Sequence, residues 1–286
     1  MIRALTVTAV LISAAVAVLP AQRNRDRDRD RDRDRDFGLS ENEWCREERR
    51  ADFCEVREET IPNSNTVYLD ARGNGGVVVR GWDRSETKVR ARVSVYDDSR
   101  EAAERLAKEI RITTSGGRIR ADGPERERSR RGRWDDERHW QVAYELQVPR
   151  RADLTVDATN GGIAVEDVRG RVDAHTVNGG IALHDVGGDI RGETVNGGLH
   201  VELAGERWEG PGLDLKTVNG GVDLRVPSGF SGELDARTSN GGIAVDFPIT
   251  VKGLINNRRQ ITGTIGSGGP RLRLSAVNGG ISISRR

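Results

Sequence analysis

The sequence predicts an all-β fold, a β-solenoid or β-helix-like stack of repeats about 18–23 residues long, with one short helix in its N-terminal half. Three observations predict it. Asn-Gly-Gly recurs at Asn160, Asn178, Asn196, Asn219, Asn240 and Asn278, at spacings of 18, 18, 23, 21 and 38. Aliphatic residues stand at fixed offsets on both sides of each copy. Between them the residues are polar or small, so period-two alternation runs into and out of every turn. A repeat of this length marks a solenoid, because one unit cannot bury a core alone and must stack on its neighbour.

The columns carry the detail. Three residues after each Asn stand Ile163, Ile181, Leu199, Val222, Ile243 and Ile281, and five after stand Val165, Leu183, Val201, Leu224, Val245 and Ile283. Six before stand Leu154, Val172, Ile190, Leu213, Leu234 and Leu272. Each unit therefore reads strand, tight turn, strand, looser turn. The glycines are expected to supply positive φ in the turn. The Asn side chains are expected to stack as a structural amide ladder. A further copy stands at Asn74-Gly75-Gly76, and the spacing of 38 is about twice the period. A calcium-binding G-G-x-G-x-D repeat does not fit, because Ala, His, Asp or Ser stands where its third Gly belongs.

From the N-terminus, residues 1–21 read as a signal peptide: Met1-Ile2-Arg3, an apolar run over 4–19, then small residues ending at Ala21. Cleavage is expected after Ala21, with Ala17 as the alternative site and an uncleaved anchor as the alternative outcome. After cleavage no integral membrane segment is expected. Residues 22–44 read as a disordered tether, nearly pure Arg-Asp alternation from 23 to 36 with nothing apolar to bury. Cys45 and Cys54 are the only cysteines, and export makes a disulfide across residues 45–55 the expectation. The remainder, 56–286, reads as one β-solenoid domain, less regular over 56–150 and repetitive over 151–286. These features place the protein in the periplasm, at the cell surface or outside the cell.

Within the less regular part, strands are expected at 66–69, 77–82 and 87–96. A helix follows, capped by Ser99, with Glu101 in its first turn and Ala102, Ala103, Leu106, Ala107 and Ile110 on one face. Strands at 111–114 and 140–148 flank a Ser115-Gly116-Gly117 turn, a further strand and a charged loop over 125–138. In that loop Arg126, Arg128, Arg130, Arg131 and Arg133 are interleaved with acids, so it reads as solvated and not as a nucleic-acid patch. Net charge is +1, from 46 basic and 45 acidic residues, so no overall field favours nucleic acid. Aromatics are only 4% of the chain, which leaves the core to Val, Ile, Leu and Ala in thin layers.

Chemistry would show in the outward columns. Six after each Asn stand Glu166, His184, Glu202, Arg225, Asp246 and Ser284, and three before stand Asp157, His175, Glu193, Lys216, Arg237 and Ser275. Parallel neighbours lie about 4.8 Å apart, so Glu166–His184–Glu202 or Asp157–His175–Glu193 are metal or acid–base candidates. Alternating signs along both columns favour a charge ladder that fixes register. No catalytic residue, metal ligand or cofactor is therefore assigned. A carbohydrate-active enzyme using Glu166, His184 and Glu202 is the enzymatic alternative. No nucleophile elbow, P-loop, zinc-protease or dinucleotide pattern occurs in a fitting context.

The segments Thr176-Val177-Asn178-Gly179-Gly180-Ile181, Thr194-Val195-Asn196-Gly197-Gly198-Leu199, Thr217-Val218-Asn219-Gly220-Gly221-Val222 and Leu272 to Ile281 resemble a bacterial family of unknown function. It is labelled a putative adhesin and also called the toastrack domain. Val148-Pro149 fits its pattern too, and the resemblance spans about 56–286. It implies a β-solenoid-like stack and a role at the cell envelope. The expectation is a non-enzymatic binding or scaffolding surface for an envelope or extracellular glycan or protein. The alternative is an envelope-stress sensor or regulatory partner of a membrane protein. The last unit, Ile281 to Ile283, is expected at an open sheet edge guarded by Arg285 and Arg286, which makes homo-oligomerisation by edge pairing a further expectation.

Overall fold

Alternation turns each strand's aliphatic residues to one face, and two such faces close on one another in this protein. The computed structural model describes residues 41–48, 50–124, 139–206, 208, 210–251 and 259–286. The apolar N-terminal run, the Arg-Asp segment and the charged loop 125–138 lie outside the described residues.

The first part holds α1 (Glu41–Glu47), β1 (Phe53–Ile61), β2 (Thr66–Asn74), β3 (Val77–Trp82), β4 (Thr87–Tyr96), α2 (Arg100–Glu109), β5 (Arg111–Thr113), β6 (Arg118–Asp122) and β7 (His139–Pro149). The repeats hold β8 (Asp153–Asn160), β9 (Ile163–Glu166), β10 (Val172–Asn178), β11 (Ile181–Val186), β12 (Asp189–Asn196), β13 (Leu199–Leu203), β14 (Gly212–Asn219) and β15 (Val222–Val226). The last are β16 (Gly232–Asn240), β17 (Ile243–Val245), β18 (Thr250–Val251), β19 (Gln260–Ile265), β20 (Arg271–Asn278) and β21 (Ile281–Arg285).

Each coil gives one strand to each of two sheets. One sheet runs β1-β4-β7-β3-β9-β11-β13-β15-β21-β17, the other β18-β19-β16-β20-β14-β12-β10-β8-β2-β6-β5. Pairing is parallel and in register through the repeats, with Val172 opposite Ile190 and Asn178 opposite Asn196. The predicted columns line the interior: Leu154, Val172, Ile190, Leu213, Leu272 and Leu234 face Ile163, Ile181, Leu199, Val222, Ile281 and Ile243, all buried. Each such side chain contributes about 1.5–3 kcal/mol by leaving water.

The stack does not follow chain order. The coil of β20 and β21 inserts between β14/β15 and β16/β17, so Asn278 lies between Asn219 and Asn240. The 38-residue spacing is not a doubled repeat. It holds β18 and β19, which fold back antiparallel and cover the outer side of β16. The expectation that Ile281 to Ile283 form an exposed edge is therefore overturned: β21 is paired on both sides, and the short β17 is the edge strand of its sheet.

The turn glycines also differ from expectation. Of the Asn-Gly-Gly glycines only Gly75 has positive φ. The first Gly is needed for closeness. A Cβ on Gly161, Gly179, Gly197, Gly220 or Gly279 would lie 1.9–2.2 Å from the carbonyl oxygen of the first Gly in the adjacent coil. The second Gly is looser, with the nearest atom 3.3 Å from a Cβ at Gly180 and none within 4 Å at Gly242.

At the other end the sheets change to antiparallel pairing. β4 pairs with β7 and β1, and α2 packs there through Ala103, Leu106 and Ala107, its first turn capped by Ser99 Oγ at 3.2 Å from the Ala102 amide. Arg57 donates to the carbonyls of Ala107 and Ile110 at the helix C-terminus. A second helix, α1, stands where the tether and the disulfide loop were expected, and β1 is a strand the sequence pattern does not show. Trp44 of α1 is buried between the guanidinium groups of Arg90 and Arg92, 5.1 and 5.2 Å from its ring centroid. Cys45 and Cys54 form a disulfide with Cα atoms 5.7 Å apart, joining α1 to β1. Glu48 accepts from the Tyr96 hydroxyl at 2.7 Å and from Gln141.

Alanine at Gly179 is expected to cost about 3 kcal/mol, since backbone must move to admit its Cβ. Alanine at Gly242 should stay within about 1 kcal/mol of the parent, and urea unfolding of the two variants checks the contrast. A second expectation concerns alkali. Burial, then the Glu48 hydrogen bond, holds the Tyr96 phenol protonated far above its ordinary value of 10.0, and burial does the same for Tyr144. Their contribution is complete below pH 10 and is lost as pH rises further, because the unfolded chain then releases protons that the native state keeps. Stability measured from pH 8 to 11 should fall above 10, with both phenols ionising only on unfolding.

Candidate functional site

The repeated corner is where the sequence concentrates its identity, and three parallel lines of atoms run along it. The middle one is the Asn column. Each Nδ2 donates to the Oδ1 of the next coil: Asn160 to Asn74, Asn178 to Asn160, Asn196 to Asn178, Asn219 to Asn196 and Asn278 to Asn219 at 2.8 Å, and Asn240 to Asn278 at 2.9 Å. All six bonds point the same way, so the amide dipoles add along the stack. Beneath them the first Gly amides donate to Asn carbonyls of the adjacent coil at 3.0 Å, as Gly179 does to Asn196. The hydroxyls of Thr176, Thr194, Thr217 and Thr238 close the corner from inside by donating to first-Gly carbonyls.

On one side of the ladder lies an exposed aliphatic stripe. Val177, Val195, Val218 and Val277 are 39–42% exposed and occupy consecutive coils, with Thr159 and Ser239 at the ends. On the other side lies an open groove of about 1140 Å³. Its floor is the second glycine of each corner and the residue two beyond it, in stack order Val78, Ala164, Ala182, His200, Asp223, Ser282 and Ala244. Small residues leave the backbone uncovered there, and the lining is mainly apolar. Its polar centre is His200, whose Nδ1 lies 2.9 Å from Asp223 Oδ2, beside Ser282. The offset of four from Asn shows this centre in the sequence only once the stacking order is known.

The outward charged columns form lateral pairs. Glu166 meets Arg80 at 3.6 Å, while His184 meets Glu202 at 3.9 Å. His175 sits between Asp157 at 3.3 Å and Asp173 at 3.0 Å. Arg286 reaches Asp185 and Glu202, at 2.6 and 3.1 Å. Glu166, His184 and Glu202 thus do not converge on one point, and among the described residues no group of three or more His, Cys, Asp or Glu side chains could hold a metal ion. His139 lies outside these columns, its ring stacked on Tyr96 with centroids 4.2 Å apart. Away from the corner, Arg150 holds the Asp83 carboxyl below the ordinary carboxylate range.

The family profile described as Toastrack DUF4097 matches residues 107–284. No curated protein is similar to the chain. Several solved structures are similar at low identity, the following among them. A putative cell adhesion protein from Clostridium sporogenes is 11% identical with a TM-score of 0.42, over 81% of this chain and 100% of that one. A putative adhesin from Bacteroides fragilis is 9% identical, TM-score 0.32, over 83% and 99%. Another from Parabacteroides merdae is 11% identical, TM-score 0.32, over 82% and 96%.

The ladder makes a graded expectation. Asn196 makes two ladder bonds and Asn240 one. Asn196→Ala should therefore lower stability by about 1–3 kcal/mol and Asn240→Ala by about half as much, measured by chemical denaturation.

Proposed function

The chain belongs to the toastrack family, DUF4097, and from that premise we propose that it is a non-enzymatic, exported envelope protein whose Asn-Gly-Gly corner is a rigid binding surface. One observation carries the reading: an apolar groove and an exposed valine stripe run side by side along the same hydrogen-bonded ridge. Contiguous exposed apolar surface on a soluble domain marks a contact site. At about 4.8 Å per coil, the seven corners span about 29 Å. A straight surface of that length suits many weak contacts with an envelope glycan or protein, which add by avidity. The ridge is hydrogen-bonded on both sides of every interior coil, so binding orders little that is not already ordered.

The chemistry of the outward columns supports binding over catalysis. Glu166 and Glu202 each face a basic partner at salt-bridge distance, which leaves neither poised as a free acid or base. Export rests on the sequence of residues 1–21 and is consistent with the Cys45–Cys54 disulfide. Among the described residues no helix is long and apolar enough to cross a membrane.

The test uses the mature protein, isolated envelopes, an array of envelope glycans and a deletion strain. Ala182→Arg fills the groove and Val195→Asp charges the stripe, both outside the core. The parent should bind saturably, each variant at least about tenfold more weakly at unchanged unfolding temperature. A parent protein that binds neither envelopes nor glycans, with attachment of the deletion strain unaltered, removes the reading.

A further inference from the structure

The sheet that holds β8, β10, β12, β14, β20 and β16, in that order, turns one face outward, and its side chains stand in columns down the stack. Nearest the Asn ladder the column is Thr159, Val177, Val195, Val218, Val277 and Ser239, the valines 39–42% exposed. Two residues earlier stand Asp157, His175, Glu193, Lys216, Ser275 and Arg237. Two earlier again stand Thr155, Asp173, Arg191, Asp214, Arg273 and Asp235. Lys216, Arg237 and Arg273 are 49–62% exposed, so their charged ends are open to a partner beyond their own sheet.

These columns are self-complementary under one rotation. A two-fold axis along the strand direction, passing between β12 and β14, lays the face of a second copy on the first and reverses its stack order. Val195 then meets Val218 and Val177 meets Val277, while the hydroxyl residues Thr159 and Ser239 meet at both ends. In the second column Glu193 opposes Lys216 and Asp157 opposes Arg237, with His175 against Ser275. In the third Asp173 opposes Arg273 and Arg191 opposes Asp214, with Thr155 against Asp235. Wherever charge meets charge in these columns, the signs are opposite.

We infer that this face docks a second copy of the chain, forming an antiparallel dimer with the valine stripe in its contact. Other arrangements fail on charge. Sliding one copy by a single coil sets Glu193 or Lys216 against itself. A two-fold axis along the stack opposes both to themselves and lays the valines on the charges of the third column. A second copy also has the same coil spacing, so the opposed columns stay aligned along their whole length. The contact ends at the strand starts, where Arg171 would meet Arg271. Six coils about 4.8 Å apart and three columns about 6.8 Å apart cover about 29 by 20 Å, slightly below the standard half-interface. The valines supply the apolar centre, while the half-exposed charges fix orientation and register more than affinity. The inference rests on the reading above in taking the stripe as a contact surface, and it leaves the groove out of the contact.

The experiment is sedimentation velocity on the mature, disulfide-bonded protein at concentrations up to about 1 mM, where a monomer–dimer equilibrium with micromolar Kd is expected. Val195→Asp, Glu193→Lys and Lys216→Glu should each weaken self-association at least about tenfold. An equimolar mixture of Glu193→Lys and Lys216→Glu should recover the parent's affinity, because both contacts between the unlike chains again join opposite signs. Each variant keeps its own internal surroundings whether alone or mixed, so recovery reports the contact and not the fold. Ala182→Arg, in the groove, should dimerise as the parent does. A chain that stays monomeric, a dimer indifferent to these substitutions, or a mixture no tighter than its components overturns the inference. Envelope binding by the same samples separates the two readings: a monomeric parent that still binds envelopes, with Ala182→Arg binding more weakly, removes the dimer alone.

Discussion

The approach of one Asn-Gly-Gly corner onto the next governs this fold. A first-Gly carbonyl lies about 2 Å from where the next coil's Cβ would stand, so the coils meet with no clearance for a side chain. At that contact the Asn carbonyl takes the adjacent Gly amide, and the Asn side chains link in one direction. Register is fixed at a single point per coil. Because side chains alternate with period two, a fixed corner commits every aliphatic column to the interior and every charged column to water. The groove follows from the same contact, since two glycines in succession leave the strand start uncovered beside the ladder.

Identical corners make coils interchangeable, and the chain uses this. β16 and β17 lie at the far end of the stack, and β20 and β21 return to fill the place between them and β14/β15. β16 is paired on both sides, in parallel with the returning β20 and antiparallel with β19, which is near in sequence. The arrangement also manages the exposed end. A three-residue edge strand and a small antiparallel cap offer little template to another chain, and Arg285 covers Phe247 with its guanidinium 5.0 Å from the ring.

Legibility of the sequence divides along the same physical line. Whatever depends on local period was readable: the core columns, the turn positions, the Ser99-capped helix, and β3 and β4 at their observed limits. Whatever depends on a partner distant in the chain was not. Asn240 and Asn278 have equivalent flanks, so no residue reveals their exchanged places. α1 is seven residues long, and Trp44 becomes a core residue only against Arg90 and Arg92 of β4. β1 carries Glu and Arg along its length, and its place in the sheet is explained by Glu58 reaching Arg90, itself 3% exposed and also bound to Glu145. Positive φ was a reasonable inference from glycine alone, yet only the stack shows that proximity of backbones is the reason.

The candidate sites obey one further rule. Along the outward columns, many charges meet a complement, one coil away as Asp157 with His175 and His184 with Glu202, or on the same strand as Lys216 with Asp214 and Arg237 with Asp235, so the pattern that builds the stack also quenches the chemistry these residues could perform. Departures from that complementarity are therefore informative. At the corner, small residues and valines replace charge over consecutive coils, and the ridge presents apolar surface where the rest of the exterior is ionic. At the irregular end, where β2 departs from register between Ala71 and Asn74, the Tyr144 phenol is enclosed with no hydrogen-bond partner among the described residues. A repeat cannot tune a single position without changing its copies or breaking its pattern, and both of these places lie where the pattern is broken or its side chains pared away.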